Sequence, residues 1–173
     1  GLGDVYKRQV SQLTEITKAR PEELVDRISK TLERLKSADR EIAKARTAAL
    51  MNDLTGLIGA PVKIGEIHLY RFTAPAGTTP NELRDIVTTA KSKLVTNANV
   101  IVGACMEAEK VSVVATTDSA ARELSVAAKD ALAAMLPHID GRGGGNAEMA
   151  QGAGTLVAGL DTALNALADA IQQ

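Results

Sequence analysis

Val100-Ile101-Val102-Gly103-Ala104-Cys105-Met106-Glu107-Ala108-Glu109-Lys110-Val111-Ser112-Val113-Val114-Ala115-Thr116 is the stretch that decides the fold class. The first seven residues are apolar or small throughout, which reads as a strand buried on both faces. Glu107 to Lys110 is a short polar turn, and Val111 to Thr116 is again rich in β-branched residues. The spacing predicts an antiparallel hairpin of strands 100–106 and 111–116. Helical patterns flank it. Upstream, Thr78-Thr79-Pro80-Asn81-Glu82 opens a helix running to about Val95, with Leu83, Ile86, Val87, Ala90 and Leu94 on one face. Downstream, Asp118-Ser119 caps a helix to about Leu136, and Leu156, Leu160, Leu164, Leu167 and Ile171 mark a last amphipathic helix. Val62, Ile64, Ile67, Leu69 and Phe72 suggest a further extended segment, with Gly65 allowing a bend. Strands interleaved with helices mean an α/β layer domain.

Upstream of Gly59-Ala60-Pro61 the pattern changes. Arg20-Pro21-Glu22-Glu23 is a helix start, with proline and acids in the first turn. Leu24, Ile28, Thr31, Leu35, Ala38, Ile42, Ala45 and Ala49 then recur by fours and threes, a heptad seam with charge around it. Residues 21–50 either pair with another helix, in a homodimer or elsewhere in a parent chain, or fold back on their own domain. Val10 to Thr17 suggests a shorter preceding helix. Residues 1–9 match no downstream pattern and read as a non-native leader. The expected organisation is thus a leader at 1–9, a coiled-coil-like helical segment at 10–59 and a globular domain at 60–173.

Composition excludes several functions. Hydrophobic residues make up 45% of the 173, so the chain is globular. Aromatics are 2%, with no Trp, which argues against a base-stacking platform. Twenty basic residues against 21 acidic give −1, so any nucleic-acid contact is a local patch. The single Cys105 excludes internal disulfides and fits a reducing, cytoplasmic setting. No apolar run approaches the roughly 18 residues of a spanning helix, so no membrane partner is expected. His68 and His138 are far apart and lack metal-ligand companions at usable spacing. His138 precedes a glycine run, where it either caps a helix or touches a ligand. Neither a triad nor a working pair of carboxylates is suggested, so no catalytic or metal-binding residue is assigned.

The glycine run is Gly141-Arg142-Gly143-Gly144-Gly145-Asn146-Ala147-Glu148-Met149-Ala150-Gln151-Gly152-Ala153-Gly154. Four glycines among five residues remove side chains where backbone must approach something closely or take positive φ. Read alone it is either a loop whose N–H groups cradle an anionic or sugar-rich ligand, or a hinge before the last helix. No Gly-Lys-Ser/Thr follows, so it is not a Walker A loop. It follows a helix instead of a strand, so it is not a dinucleotide fingerprint.

GRGGGNAEMAQGAG resembles the glycine-rich motif of the DHHA1 domain in the form found at the C-terminus of alanyl-tRNA synthetases. Glu148, Met149, Ala150 and Gln151 match that motif, as does the glycine run, while Asn146 and Ala147 stand where a basic-Pro pair is usual. The similarity runs from about Leu13 to the end. It implies a C-terminal fragment of a longer enzyme, with a long helical segment before a compact DHHA1-like α/β domain. The implied role is a tRNA-binding module of an alanine–tRNA ligase that contacts the outer corner of tRNA(Ala) and aids aminoacylation and editing. Arg142, Gly143, Gly144, Gly145, Asn146 and Gln151 are the RNA-binding candidates. The implied partners are tRNA(Ala) and the rest of the parent synthetase. No cofactor is expected in this chain, since ATP and zinc belong to other domains in that family. Two rivals remain: the nucleotide-holding half of a DHH-type phosphoesterase, and a plain oligomerisation module.

Overall fold

A computed structural model describes residues 1–172 and divides the chain into two compact units, Gly1–Ala48 and Ala49 onward. In the first unit, α1 (Leu2–Thr17) buries no residue. Residues 2–9, within the segment read as a non-native leader, form the start of this helix, with Asp4 in its first turn. Lys18 ends α1 in a left-handed conformation, and a 3-10 turn at Pro21–Glu23 leads into α2 (Leu24–Asn52). Ala19 and Leu24 are buried there. The seam beyond them stays open: Ile28 is 37%, Leu35 57% and Ile42 64% exposed.

The boundary between the units falls inside α2. The expected division at 59/60 therefore lies within the second unit, for a packing reason. Leu54 and Ile58, on the short α3 (Leu54–Ile58), are buried in the second unit's core, with Leu50 and Met51 packed against them.

The second unit is built on six strands: β1 (Val62–Ile64), β2 (Ile67–Thr73), β3 (Asn99–Glu107), β4 (Lys110–Thr117), β5 (Gly141–Gly145) and β6 (Met149–Gly154). Their order across the sheet is β1-β2-β3-β4-β6-β5. Gly65, at φ 59°, makes the turn between the antiparallel β1 and β2, a conformation that costs glycine little. β2 and β3 are parallel, joined through α4 (Pro80–Lys93). The predicted hairpin is present, with Val100 opposite Thr117 and Glu107 opposite Lys110.

Alternation along β3 and β4 sends side chains to two cores. Val100, Val102, Ala104, Val113 and Ala115 pack beneath α6 (Ala128–Met135) and α7 (Leu160–Ile171). Ile101, Cys105 and Val114 pack beneath α4, whose Leu83, Ile86, Val87 and Ala90 are fully buried. α4 starts where the sequence places it, since Thr79 accepts from Glu82 N at 3.3 Å and Glu82 Oε2 accepts from Thr79 N at 2.7 Å.

Three expectations change. The single helix after Asp118 is two, α5 (Ser119–Glu123) and α6, because Ser125 takes φ 65° and breaks the run. The last helix begins at Leu160; Leu156 stands before a 3-10 turn at Val157–Gly159. The glycine run is not a loop but the hairpin β5–β6, completing the sheet at its edge.

Candidate functional site

At several glycines of this edge strand the neighbouring backbone lies too close for a side chain. A Cβ built on Gly143 would lie 2.5 Å from the Gln151 carbonyl oxygen and from the Gly152 Cα. On Gly145 it would overlap the Met149 carbonyl oxygen and the Ala150 Cα, and on Gly154 the Ile139 carbonyl oxygen. None of residues 141–145 has positive φ, so close approach is the reason for these glycines. Gly144 is different. A Cβ there meets nothing within 4 Å, since Gly144 lies opposite Gln151 on the open face of the strand.

The turn between the strands is held from several sides. Asn146 Oδ1 accepts from Glu148 N at 2.9 Å and Met149 N at 2.8 Å, closing the reversal with its own side chain. The Ala147 carbonyl accepts from Thr117 Oγ1 at 2.7 Å and Ala128 N at 2.8 Å. The Glu148 carbonyl accepts from Thr116 Oγ1 and Thr117 N, both at 2.9 Å. Thr116 and Thr117 are fully buried. From α4, Lys91 Nζ reaches Glu148 Oε1 at 2.6 Å, and this ammonium, with Arg122 adding, holds the Glu148 carboxyl below its ordinary range. These hydrogen bonds tie the hairpin tip to β4 and to the start of α6, which makes it part of the sheet instead of a free connection before the last helix.

Register then sorts the faces. Ala150 and Gly152 turn toward α6, where Ala150 is buried and Gly152 meets Leu132 and Leu136. Gln151 and Ala153 turn to the other face and are exposed, with Gly144 and Arg142 opposite them on β5. On that face α4 covers β3 and β4 but leaves β6 and β5 bare. A groove of about 210 Å³ results, lined by Arg84, Gly144, Gly145, Asn146 and Gln151 among others. The structure therefore brings Gly144, Gly145, Asn146 and Gln151 together, and puts Arg142 on the same face by register. Gly143 contributes the close strand contact instead of a lining surface. Asn146 spends its carbonyl oxygen on the turn, leaving its NH₂ as the group a ligand would meet.

Arg84 was not among the candidates. It is exposed on α4, seven residues before Lys91 and so on the same side of the helix, and no motif marks it. Its only sequence signal was position: a cation on the polar face of a helix whose apolar face was already legible.

The remaining titratable candidates stand elsewhere. His138 lies in the 3-10 turn Leu136–Ile139, whose Ile139 belongs to the core on the α6 face. His68 Nδ1 donates to the Asn97 carbonyl at 2.8 Å. Cys105 is buried, and burial, with Glu107 and Glu82 adding, pushes its thiol up to about 11, so it is protonated at neutral pH. Among the described residues no group of three or more His, Cys, Asp or Glu is arranged to hold a metal ion, and no helix is long and apolar enough to cross a membrane.

No family model matches the chain. It is 33% identical over 145 residues to the alanine–tRNA ligase of Frankia alni, covering 84% of this chain and 16% of that protein. It is 32% identical over 166 residues to the alanine–tRNA ligase of Corynebacterium jeikeium, covering 96% and 19%. The chain thus spans less than a fifth of the length of these curated relatives. Its fold is similar to the C-Ala domain of Aquifex aeolicus alanyl-tRNA synthetase, with a TM-score of 0.59 at 22% identity over 66% of this chain and all of that one. It is also similar to a DHH-domain member of the s1p family of ribosomal proteins, with a TM-score of 0.53 at 15% identity over 88% of this chain and 34% of that one. These two likenesses show the fold.

Proposed function

We propose, from the premise that this chain is similar to the C-terminal region of alanine–tRNA ligases, that it is the tRNA-binding accessory module of such an enzyme. In this reading it contacts the outer corner of tRNA(Ala) and helps present the tRNA for aminoacylation and editing by the rest of the synthetase. The observation that carries the reading is the bare face of β6 and β5: a preorganised strand pair with glycines, amides and an exposed arginine, and no aromatic side chain. RNA of this kind is held by shape, phosphate and 2′-hydroxyl contacts, which such a surface suits better than base stacking. A net charge near zero confines the attraction to this patch.

A DHH-domain protein shares the fold, which keeps the DHH-type phosphoesterase as the rival reading, but the sequence similarity to ligases favours the synthetase module. In the same reading helix pairing, with a second copy or with the parent chain, falls to the α2 seam, which the exposure of Ile28, Leu35 and Ile42 supports.

Titrating tRNA(Ala) against the intact chain and its Arg142→Ala variant at several salt concentrations tests the reading. Arg142 is exposed, so the fold is retained, while affinity falls and the logarithmic salt slope drops by about one. Equal affinities and slopes would overturn the role of Arg142. Absence of tRNA binding by the unaltered chain would overturn the function.

A further inference from the structure

Beside the groove at the hairpin tip lies a second concavity of about 340 Å³, lined by Pro80, Asn81, Ser112, Gln151 and Ala153 among others. Gln151 lines both. The two adjoin at Gln151, and their linings together span β6 from Met149 to Ala153, about 13 Å at the rise of an antiparallel strand; we treat them as one trough. α4 forms one wall through Asn81 and Arg84, and β5 borders the other side through Gly144 and Arg142, the cross-strand neighbour of Ala153.

We infer that this trough is a track for a short run of RNA sugar–phosphate backbone, with Arg84 and Arg142 binding phosphates from its two sides and Asn81 and Gln151 reading the ribose 2′-hydroxyls. The inference rests on the RNA-binding reading above and extends it to residues on α4. Three observations carry it. Neither lining contains a carboxylate or an aromatic ring, so a polyanion is not repelled and bases have no stacking platform. The hairpin's one carboxylate, Glu148, is already paired with Lys91 at 2.6 Å. Finally, Gly144 and Ala153 keep the floor low, so a bulky chain settles against the sheet while the longer side chains reach it from the sides. An amide side chain both donates and accepts, as a 2′-hydroxyl does, whereas a deoxyribose offers it nothing there.

The test uses the intact chain, tRNA(Ala) transcript and an all-deoxy strand of the same sequence. Variants are Arg84→Ala, Arg142→Ala, the two together, and Gln151→Leu, each checked for unchanged thermal unfolding. Arg84→Ala replaces an exposed helical residue by a strong helix former, so folding is retained. The expected results are a several-fold loss of tRNA affinity with a salt slope lower by about one for Arg84→Ala, and by about two for the double variant. Gln151→Leu should narrow the preference for RNA over DNA. Should Arg142→Ala weaken binding while Arg84→Ala leaves affinity and slope unchanged, α4 is no wall of the track and the inference fails, although the RNA-binding reading stands. Equal binding of RNA and DNA by the unaltered chain removes the 2′-hydroxyl role. If the unaltered chain binds no tRNA, the functional reading falls and the track with it.

Discussion

Gly143 and Gly144 are adjacent, equally polar and alike in sequence, yet the structure sets opposite costs for filling them. Alanine at 143 would place a methyl 2.5 Å from the Gln151 carbonyl oxygen and the Gly152 Cα, inside any allowed contact. Both obstacles are backbone, so the strands themselves must move apart. Overpacking of this kind costs about 1–3 kcal/mol. Replacing a strand glycine by alanine also recovers roughly 0.5–1 kcal/mol of backbone entropy. The net expectation for Gly143→Ala is a loss of about 0.5–2 kcal/mol, the lower end applying if the edge strand slides outward. At Gly144 nothing lies within 4 Å and φ is not positive, so Gly144→Ala keeps only the entropic gain. The two variants should therefore differ by about 1–3 kcal/mol, and a difference near the middle separates their melting midpoints by about 4–8 °C in a chain of this size. Differential scanning calorimetry on both, with denaturant titration as a second measure, reads this directly. The functional order is reversed: Gly144→Val should weaken tRNA binding by raising the trough floor, while its melting temperature holds. A Gly143→Ala protein as stable as Gly144→Ala would refute the close-approach account of the glycine run.

Two other outcomes follow from particular contacts. Because Lys91 depresses the Glu148 carboxyl, the stabilisation of the hairpin tip is present above the ordinary carboxylate range and is lost as pH falls through the lowered value. Carboxyl NMR titration should show Glu148 moving up toward the usual range in Lys91→Met, with Arg122 still lowering it somewhat, and an unchanged titration would remove the latch. For the α2 seam, Ile28→Asp with Leu35→Asp should abolish self-association of the chain in sedimentation equilibrium while leaving the unfolding of the α/β unit unaltered; both side chains are exposed, so folding does not depend on them. Unchanged self-association would place the pairing surface elsewhere.

Features that repeat locally are legible in the residues themselves. A short apolar run rich in β-branched residues and closed by a polar turn reads as a strand covered on both faces, so the hairpin of β3 and β4 was legible in the sequence, and so was the buried face of α4 at Leu83, Ile86, Val87 and Ala90. The seam of α2 was equally visible, because a heptad is a property of one helix. Tertiary structure alone decided the glycine run. Residues without side chains carry no periodicity, so nothing in GRGGG distinguishes loop from strand until β4 offers an edge with Val111 opposite Gly154 and Thr116 opposite Met149. The same pairing decided which candidates share a face, separating Gly144 and Gln151 from Gly143, and it cast Asn146 as the maker of the turn. Arg84 entered the site only because α4 stops short of β6 and β5. That is a matter of where a helix lies across a sheet, set by the packing of its apolar face and invisible in the spacing of its polar residues.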